Sequence, residues 1–252
     1  MKNLSFRSRA FIWHLAGSSV AALAAWLLAT QVWYPSPMDT LAGGMQLFLI
    51  VIGVDMVLGP CLTAVIANPN KPRRELGRDV AIVLALQVSA LAYGINTLAA
   101  ARPAVLAFEV DLFRLVAAID IQTEQLQSAP PQLRDIGWTG PRTLAAVKPT
   151  NSDEIYDSIQ LGLAGIHLAA LPRYWRNYDE HAGQAWDRAS PIAKVLNQQP
   201  NLKQEIDKIA SSAQVHPASL RVLPLLARRA EGMVLLAPGG RVAGMLAATA
   251  PQ

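Results

Sequence analysis

The chain has 252 residues, of which 52% are hydrophobic and 16% charged, against roughly 25% charge in soluble domains. Disorder is excluded for most of its length, and the single cysteine, Cys61, excludes a disulfide scaffold and a four-cysteine zinc site. The net charge is +4, set mostly by two short basic clusters beside apolar runs. No basic stripe of the kind that binds nucleic acid is visible.

No charge lies between Arg9 and Asp39. The apolar part, Ala10 to Trp33, has 24 residues, about 36 Å as a helix, against a hydrocarbon core of about 30 Å. It is too long for a signal-peptide core and has no small-residue cleavage site. Trp13 stands near one end, and Trp33 with Tyr34 at the other, as interfacial aromatics do. Small residues from Ala16 to Ala25 allow close helix approach, and the prolines after Tyr34 end the helix. A second run, Leu41 to Ala67, carries one charge, Asp55, and a third, Val80 to Ala101, carries none. Three such runs predict a membrane domain over residues 1–101, with spans at about 10–33, 41–67 and 80–101.

Lys2, Arg7 and Arg9 precede the first span, and Lys71, Arg73, Arg74 and Arg78 separate the second from the third. The loop between spans one and two carries only Asp39. The positive-inside rule predicts a cytoplasmic N-terminus and places residues 102–252 on the far side, the periplasm of a bacterium with two membranes.

A carboxylate at mid-span costs at least about 2.5 kcal/mol on insertion scales and normally faces protein. Asp55 is followed by Gly59 and Pro60, and the proline opens the helix at the carbonyl of Met56. Gln87, Ser89, Tyr93 and Asn96 of span three and His14, Ser18 and Ser19 of span one are the available partners. One reading is an ion relay or a docking point for another membrane helix. The blander reading is an interhelical hydrogen bond. A transporter is disfavoured, since three spans are few and no second half repeats the pattern.

Residues 102–252 predict one α+β domain with a mainly antiparallel sheet. Val105 to Ala118 reads as a strand or strand pair, Gln122 to Ser128 as a short helix, and Thr143 to Val147 as a strand. Asn151 or Ser152 starts a helix that is expected to run to about Leu171. Its Ile155, Ile159, Leu163 and Ile166 are expected to form a buried face. Helices are also expected after Ser190–Pro191 and after Pro200–Asn201. Three strands close the chain: Leu220–Ala227, Gly232–Ala237 and Arg241–Ala247, the last two joined through Pro238–Gly239–Gly240.

No metalloprotease, serine-hydrolase, phosphate-loop or dinucleotide-binding motif is present. His167, His181 and His216 lie far apart in sequence. Asp153–Glu154 and Asp179–Glu180 read as helix starts or solvated faces. The stretch from Pro172 to Tyr178 sets Arg173, Tyr174, Trp175 and Arg176 together, a composition favoured at interfaces. The alternative is a loop covering the core with arginines stacked on its rings. No catalytic, cofactor-binding or metal-binding residues are assigned. The candidate partner-binding residues are Asp55, Gly59, Pro60, Gln87, Tyr93, Arg173, Tyr174, Trp175 and Arg176.

Several motifs, in order, resemble the type IV pilin accessory proteins of the TfpX/TfpZ kind. They are Trp33-Tyr-Pro35, Val54-Asp-Met-Val-Leu-Gly-Pro60 with Leu62–Thr63, and Asn68–Pro69. Leu86–Gln87, Ala90-Leu-Ala-Tyr-Gly94, Arg102–Pro103 and Phe108-Glu-Val-Asp-Leu-Phe113 follow. They cover roughly residues 30 to 120, and Cys61 stands where an aliphatic residue is expected. The resemblance implies a bacterial inner-membrane protein that assists pilin stability or pilus assembly. The partners it implies are the major type IV pilin, with assembly-platform proteins as a second candidate, and the lipid bilayer. A non-enzymatic, chaperone-like role is weighed against a pilin-modifying membrane enzyme, for example one transferring a glycan.

Overall fold

In a computed structural model of the chain, which describes residues 5–248, the apolar runs become three long helices. The first, α1 (Phe6–Leu28), extends through one π-helical turn to Trp33. It is capped by the Ser5 hydroxyl, which accepts the Ser8 N–H. After the short α2 (Met38–Ala42) come α3 (Gly44–Ile66) and α4 (Arg73–Ala101). Residues Phe6–Trp33, α3 and α4 are each long and apolar enough to cross a membrane. The second span starts at Gly44, because Gly43 adopts φ 75° and separates Leu41 and Ala42 from α3. The third starts at Arg73, so Arg73, Arg74 and Arg78 are helical; an apolar window sees only the hydrocarbon part. Lys71 pairs with Asp79 at 2.6 Å. The Arg7 Nε donates to the Ala67 carbonyl at the end of α3. Of the N-terminal basic residues, Lys2 lies outside the described residues.

The chain forms two compact units. One comprises the residues up to Trp33 together with Gly44–Ala100, and the other comprises Tyr34–Gly43 and the chain from Ala101 onward. Trp13 is exposed, as an interfacial aromatic should be, whereas Trp33 and Tyr34 are buried.

The second unit is built on one mixed sheet. β1 (Pro103–Glu109) and β2 (Leu112–Ala117) form an antiparallel hairpin. β3 (Arg142–Ala146) runs parallel to β1, and the short β4 (Trp175–Asn177) runs antiparallel to β3. On the other side β6 (Arg221–Leu226) lies parallel to β2 and is followed by the antiparallel β7 (Glu231–Leu236) and β8 (Val242–Ala247). The order is β4-β3-β1-β2-β6-β7-β8, with β5 (Ser190–Pro191) also pairing with β6. Alternate residues of β1 serve opposite faces. Leu106 and Phe108 pack with Phe113, Leu223 and Val234, while Val105 and Ala107 pack with Leu133, Ala169 and Trp175. Both faces are covered, which explains the nearly unbroken apolar run from Ala104 to Phe108.

The helices depart from expectation in three places. α5 (Ser152–Leu163) stops well short of Leu171. Gly165 takes φ 83°, and 3-10 turns carry the chain onward. Ile155, Ile159 and Leu163 are exposed instead of buried, whereas Ile166, beyond the helix end, packs against the core. Gln122–Ser128 becomes a 3-10 turn, Thr123–Ser128. Ser190 and Pro191 become β5, and α7 (Ile192–Gln198) begins after them. The sequence reading also missed α6 (Ala182–Arg188), which packs Ala185 into the core. α8 (Lys203–Ser212) covers the far end of the sheet with Ile206 and Ala210. The expected turn at Pro238–Gly240 is present. Gly240, at φ 84°, is required there because a Cβ would strike the Ala182 carbonyl. The Tyr178 hydroxyl donates to the Gly240 carbonyl at 2.5 Å.

Candidate functional site

Polar residues from all three long helices meet at one point, Gln87 of α4. The Gln87 amide nitrogen donates to Ser18 Oγ of α1 at 2.9 Å and to the Asp55 carbonyl of α3 at 3.2 Å. A carbonyl only accepts, so the NH2 end faces Asp55 and the Oε1 faces His14. His14 Nε2 lies 2.5 Å from that oxygen and must carry the proton. In the neutral ring Nδ1 is then the acceptor, and the Thr63 hydroxyl donates to it at 2.5 Å. A chain Thr63–His14–Gln87–Ser18 therefore ties the three spans together. In lipid such groups find no water, so they bond to each other.

Gly59 makes this possible. A Cβ there would fall within 2.3–2.5 Å of the Gln87 amide. The neighbouring Pro60 is buried inside α3 and leaves the Met56 carbonyl without its helical donor. A second close approach occurs at Gly94, where a Cβ would strike Val51. Between these contacts α3 and α4 leave a groove of about 400 Å³, floored by Asp55, Gly59 and Gln87 and walled by apolar side chains. A second groove of about 480 Å³ lies between α1 and α4, with His14, Ser18 and Thr63 along it. Asp55 lines both grooves. It is 7% exposed, and its Oδ1 has no hydrogen-bond partner among the described residues.

Of the expected partners, Gln87, His14 and Ser18 join the cluster. Tyr93 is 75% exposed and lines the α3–α4 groove without bonding to Asp55. Ser89 and Asn96 are exposed, and Ser19 bonds back to the Leu15 carbonyl. Thr63 was not singled out as a partner. Its spacing of four from Gly59 places it on the same helix face as Gly59 and Asp55.

The stretch Pro172–Tyr178 lies in the other unit, and its rings turn inward. Tyr174, Trp175 and Tyr178 are buried. The Trp175 Nε1 donates to the Ala169 carbonyl at 2.9 Å. The Arg173 guanidinium lies 4.8 Å from the Tyr174 ring centre. Burial raises the pKa of Tyr174, opposed by Arg173. Arg176 is exposed and bonds to the carbonyls of Arg173 and Trp175. The geometry is that of a loop closing the core, with Arg176 facing outward.

Residues 2–43 match the model of the fimbrial assembly protein FimB family. Among curated proteins, the fimbrial assembly protein of Dichelobacter nodosus serogroup E1 is 30% identical over 225 residues, 88% of each chain. That of serogroup I is 30% identical over 224 residues, 88% of this chain and 87% of the relative. That of serogroups C1 and C2 is 36% identical over 115 residues, 46% of this chain and 87% of the relative. No solved structure matches this chain. Identity at this level across almost the full length of both chains places it, with its three apolar helices and mixed sheet, in the fimbrial assembly protein family.

Proposed function

We propose that this chain is a non-enzymatic accessory protein of type IV pilus assembly. It sits in the bacterial inner membrane, with its N-terminus in the cytoplasm and residues 102–252 in the periplasm, and holds the major pilin before assembly. A pilin awaiting assembly has one hydrophobic helix in the bilayer and a head outside. A chain with lateral grooves and an extracytoplasmic domain can meet both, and two weak contacts reinforce each other through effective concentration.

The observation that carries this reading is the Asp55 carboxyl. It is buried at mid-span, unpaired at one oxygen, and set in the floor of two grooves. A carboxyl in that position is expensive unless a donor reaches it. A purely structural role would have paired it within the cluster, as Gln87 is paired. A neighbouring helix that brings an N–H or O–H donor to this depth satisfies it.

The test is photo-crosslinking in vivo from Leu58 in the groove and from Arg176 on the extracytoplasmic domain. A major-pilin adduct at both supports the proposal. Adducts only to assembly-platform proteins, or only to lipid, overturn it. The modifying-enzyme alternative predicts a change in pilin mass when this chain is absent; an unchanged mass removes it.

A further inference from the structure

Trp138 is the one tryptophan of the second unit that faces outward. Trp175 is buried and Trp186 half-buried, whereas Trp138 is 60% exposed. Its loop is firmly built. The Asp135 carboxylate accepts the Gly137 N–H at 2.9 Å, and the Arg142 guanidinium donates to the carbonyls of Gln132 and Asp135 at 2.6 and 2.7 Å. Gly137 and Gly140 take φ 71° and 44° and turn the chain on either side of the tryptophan. Ile136 of the same loop packs against the core. The loop thus buries its isoleucine and shows its largest apolar ring, the reverse of what water favours.

Chain connectivity says what lies beside that ring. Arg102 directly follows Ala101, the last residue of α4. The uncharged part of α4, Val80–Ala101, has 22 residues, about 33 Å of helix against a hydrocarbon core of about 30 Å. With Arg78 and Asp79 at one surface of the bilayer, Arg102 stands at the other. The Arg102 Nη2 donates to the Gly137 carbonyl at 2.6 Å, and the guanidinium lies 4.9 Å from the centre of the Trp138 ring. Trp138 is therefore held about one arginine side chain from the end of a span. That is the depth at which tryptophan is enriched in membrane proteins. The sequence pattern assigns this interface to Trp33 and Tyr34, but each is only 2% exposed. We propose that Trp138 is the interfacial anchor on this side of the membrane, its ring lying among the phospholipid headgroups and tying the second unit to the bilayer. Arg102 is the positioning residue, holding the loop by its backbone and the ring by its face. The occupant is lipid and not a protein, because the span end fixes the depth of the ring and lipid is present there whether or not a partner binds. The inference rests on α4 crossing the bilayer and not on the role in pilus assembly.

The test places a nitrobenzoxadiazole label on Thr139→Cys in the full chain carrying Cys61→Ala, reconstituted in phosphatidylethanolamine–phosphatidylglycerol vesicles. Lys208→Cys on α8 is the control. Lipid with a nitroxide at carbon 5 of its acyl chain should quench position 139 several-fold more strongly than position 208, and aqueous iodide should do the opposite. Trp138→Ser should bring position 139 to the level of position 208. Trp138→Tyr keeps an amphipathic ring and should retain the lipid quenching. The unfolding midpoint of the detergent-solubilised chain shows that each variant is folded. Equal quenching at 139 and 208 would mean that the ring faces water and overturns the inference. Lipid quenching that survives Trp138→Ser in a folded chain would mean that the tether alone keeps the loop near lipid, and overturns it as well. So does protection from iodide found in native membranes but not in these vesicles, which would assign the ring to a protein partner. The vesicles contain no pilin, so each of these outcomes leaves the proposed function standing.

Discussion

Gly59 shows how one missing methyl group organises a membrane cluster. Its Cα lies close enough to the Gln87 amide that any side chain must push that amide away. Gly17 and Gly53, on α1 and α3, have nothing within 4 Å of a built Cβ. Gly59→Ala is therefore expected to cost about 1–2 kcal/mol, one or two interhelical bonds at the ~0.6–1.7 kcal/mol each is worth in lipid. Gly17→Ala should be neutral. Thermal unfolding of the detergent-solubilised chain measures both, and equal effects would refute the role given to Gly59. Outside the spans, two buried tyrosines set an alkaline limit. Burial pushes Tyr34 up to about 12, partly opposed by Arg102, and burial also raises Tyr178. An unfolded tyrosine ionises near 10. The folded state then holds its proton where the unfolded state has lost it. Stability is full below about pH 10 and falls as pH rises toward 12. Tyr34→Phe should flatten that loss in an unfolding series. An identical alkaline slope in the variant would assign the loss to other groups.

At the level of elements, the β1–β2 hairpin turns through Val110 at φ 64°. A β-branched residue in the left-handed region is an outlier that costs roughly 1–2 kcal/mol. Glycine removes that cost and adds about 0.5–1 kcal/mol of unfolded-state entropy. Val110→Gly should thus raise stability by about 0.5–1 kcal/mol, and Val110→Asn by a similar amount, read as a higher unfolding midpoint. A loss instead would show that the exposed valine is held by contacts elsewhere. The hairpin itself was legible from its apolar run, as were the three terminal strands and their Pro-Gly-Gly turn. These are signals of local period and local turn chemistry. The parallel pairings β1–β3 and β2–β6 were not legible, because nothing local encodes a partner more than thirty residues away. α5 failed for a related reason. Its spacing correctly predicts an apolar stripe, but periodicity reports that a face is apolar and not that the chain itself covers it. In the spans, Asp55, Gly59 and Gln87 stood out as polar or small residues in apolar runs. The aromatic stretch at 172–178 read equally well as surface or core, since Trp and Tyr serve both.

For the molecule as a whole, the informative segment is the shortest one. Residues 34–40, with two prolines and one charge, read as a loop, and Leu41–Gly43 as the start of the second span. Yet Met38 and Leu41 belong to the core around Phe113, Leu223 and Val234. Leu41 is 0% exposed. Its carbonyl accepts the Arg229 N–H at 3.1 Å, and its side chain lies where a Cβ on Gly232 would be. The second unit is thus completed by a piece of chain that arrives before the second span. Leu41→Ala should cost about 2–5 kcal/mol, the range for a buried leucine. A sharper consequence concerns a fragment of residues 101–248 alone. It lacks Met38 and Leu41 and leaves an apolar gap on the face of β6 and β7. That fragment should be readily proteolysed and bind a hydrophobic dye. Fusing residues 34–43 to it through a flexible linker should restore protease resistance, and the same fusion with Leu41→Asp should not. A fragment equally resistant with and without residues 34–43 would mean that the domain folds without this segment. The reciprocal dependence has a physical outcome for the full chain. With the ends of residues 34–43 continuing into α1 and α3, unfolding the sheet domain also releases the connection between the first two spans. Damage to β6 or β7, for example Leu225→Ala, should therefore speed proteolysis at residues 34–43 in membranes, where an independent loop would be cut at the wild-type rate.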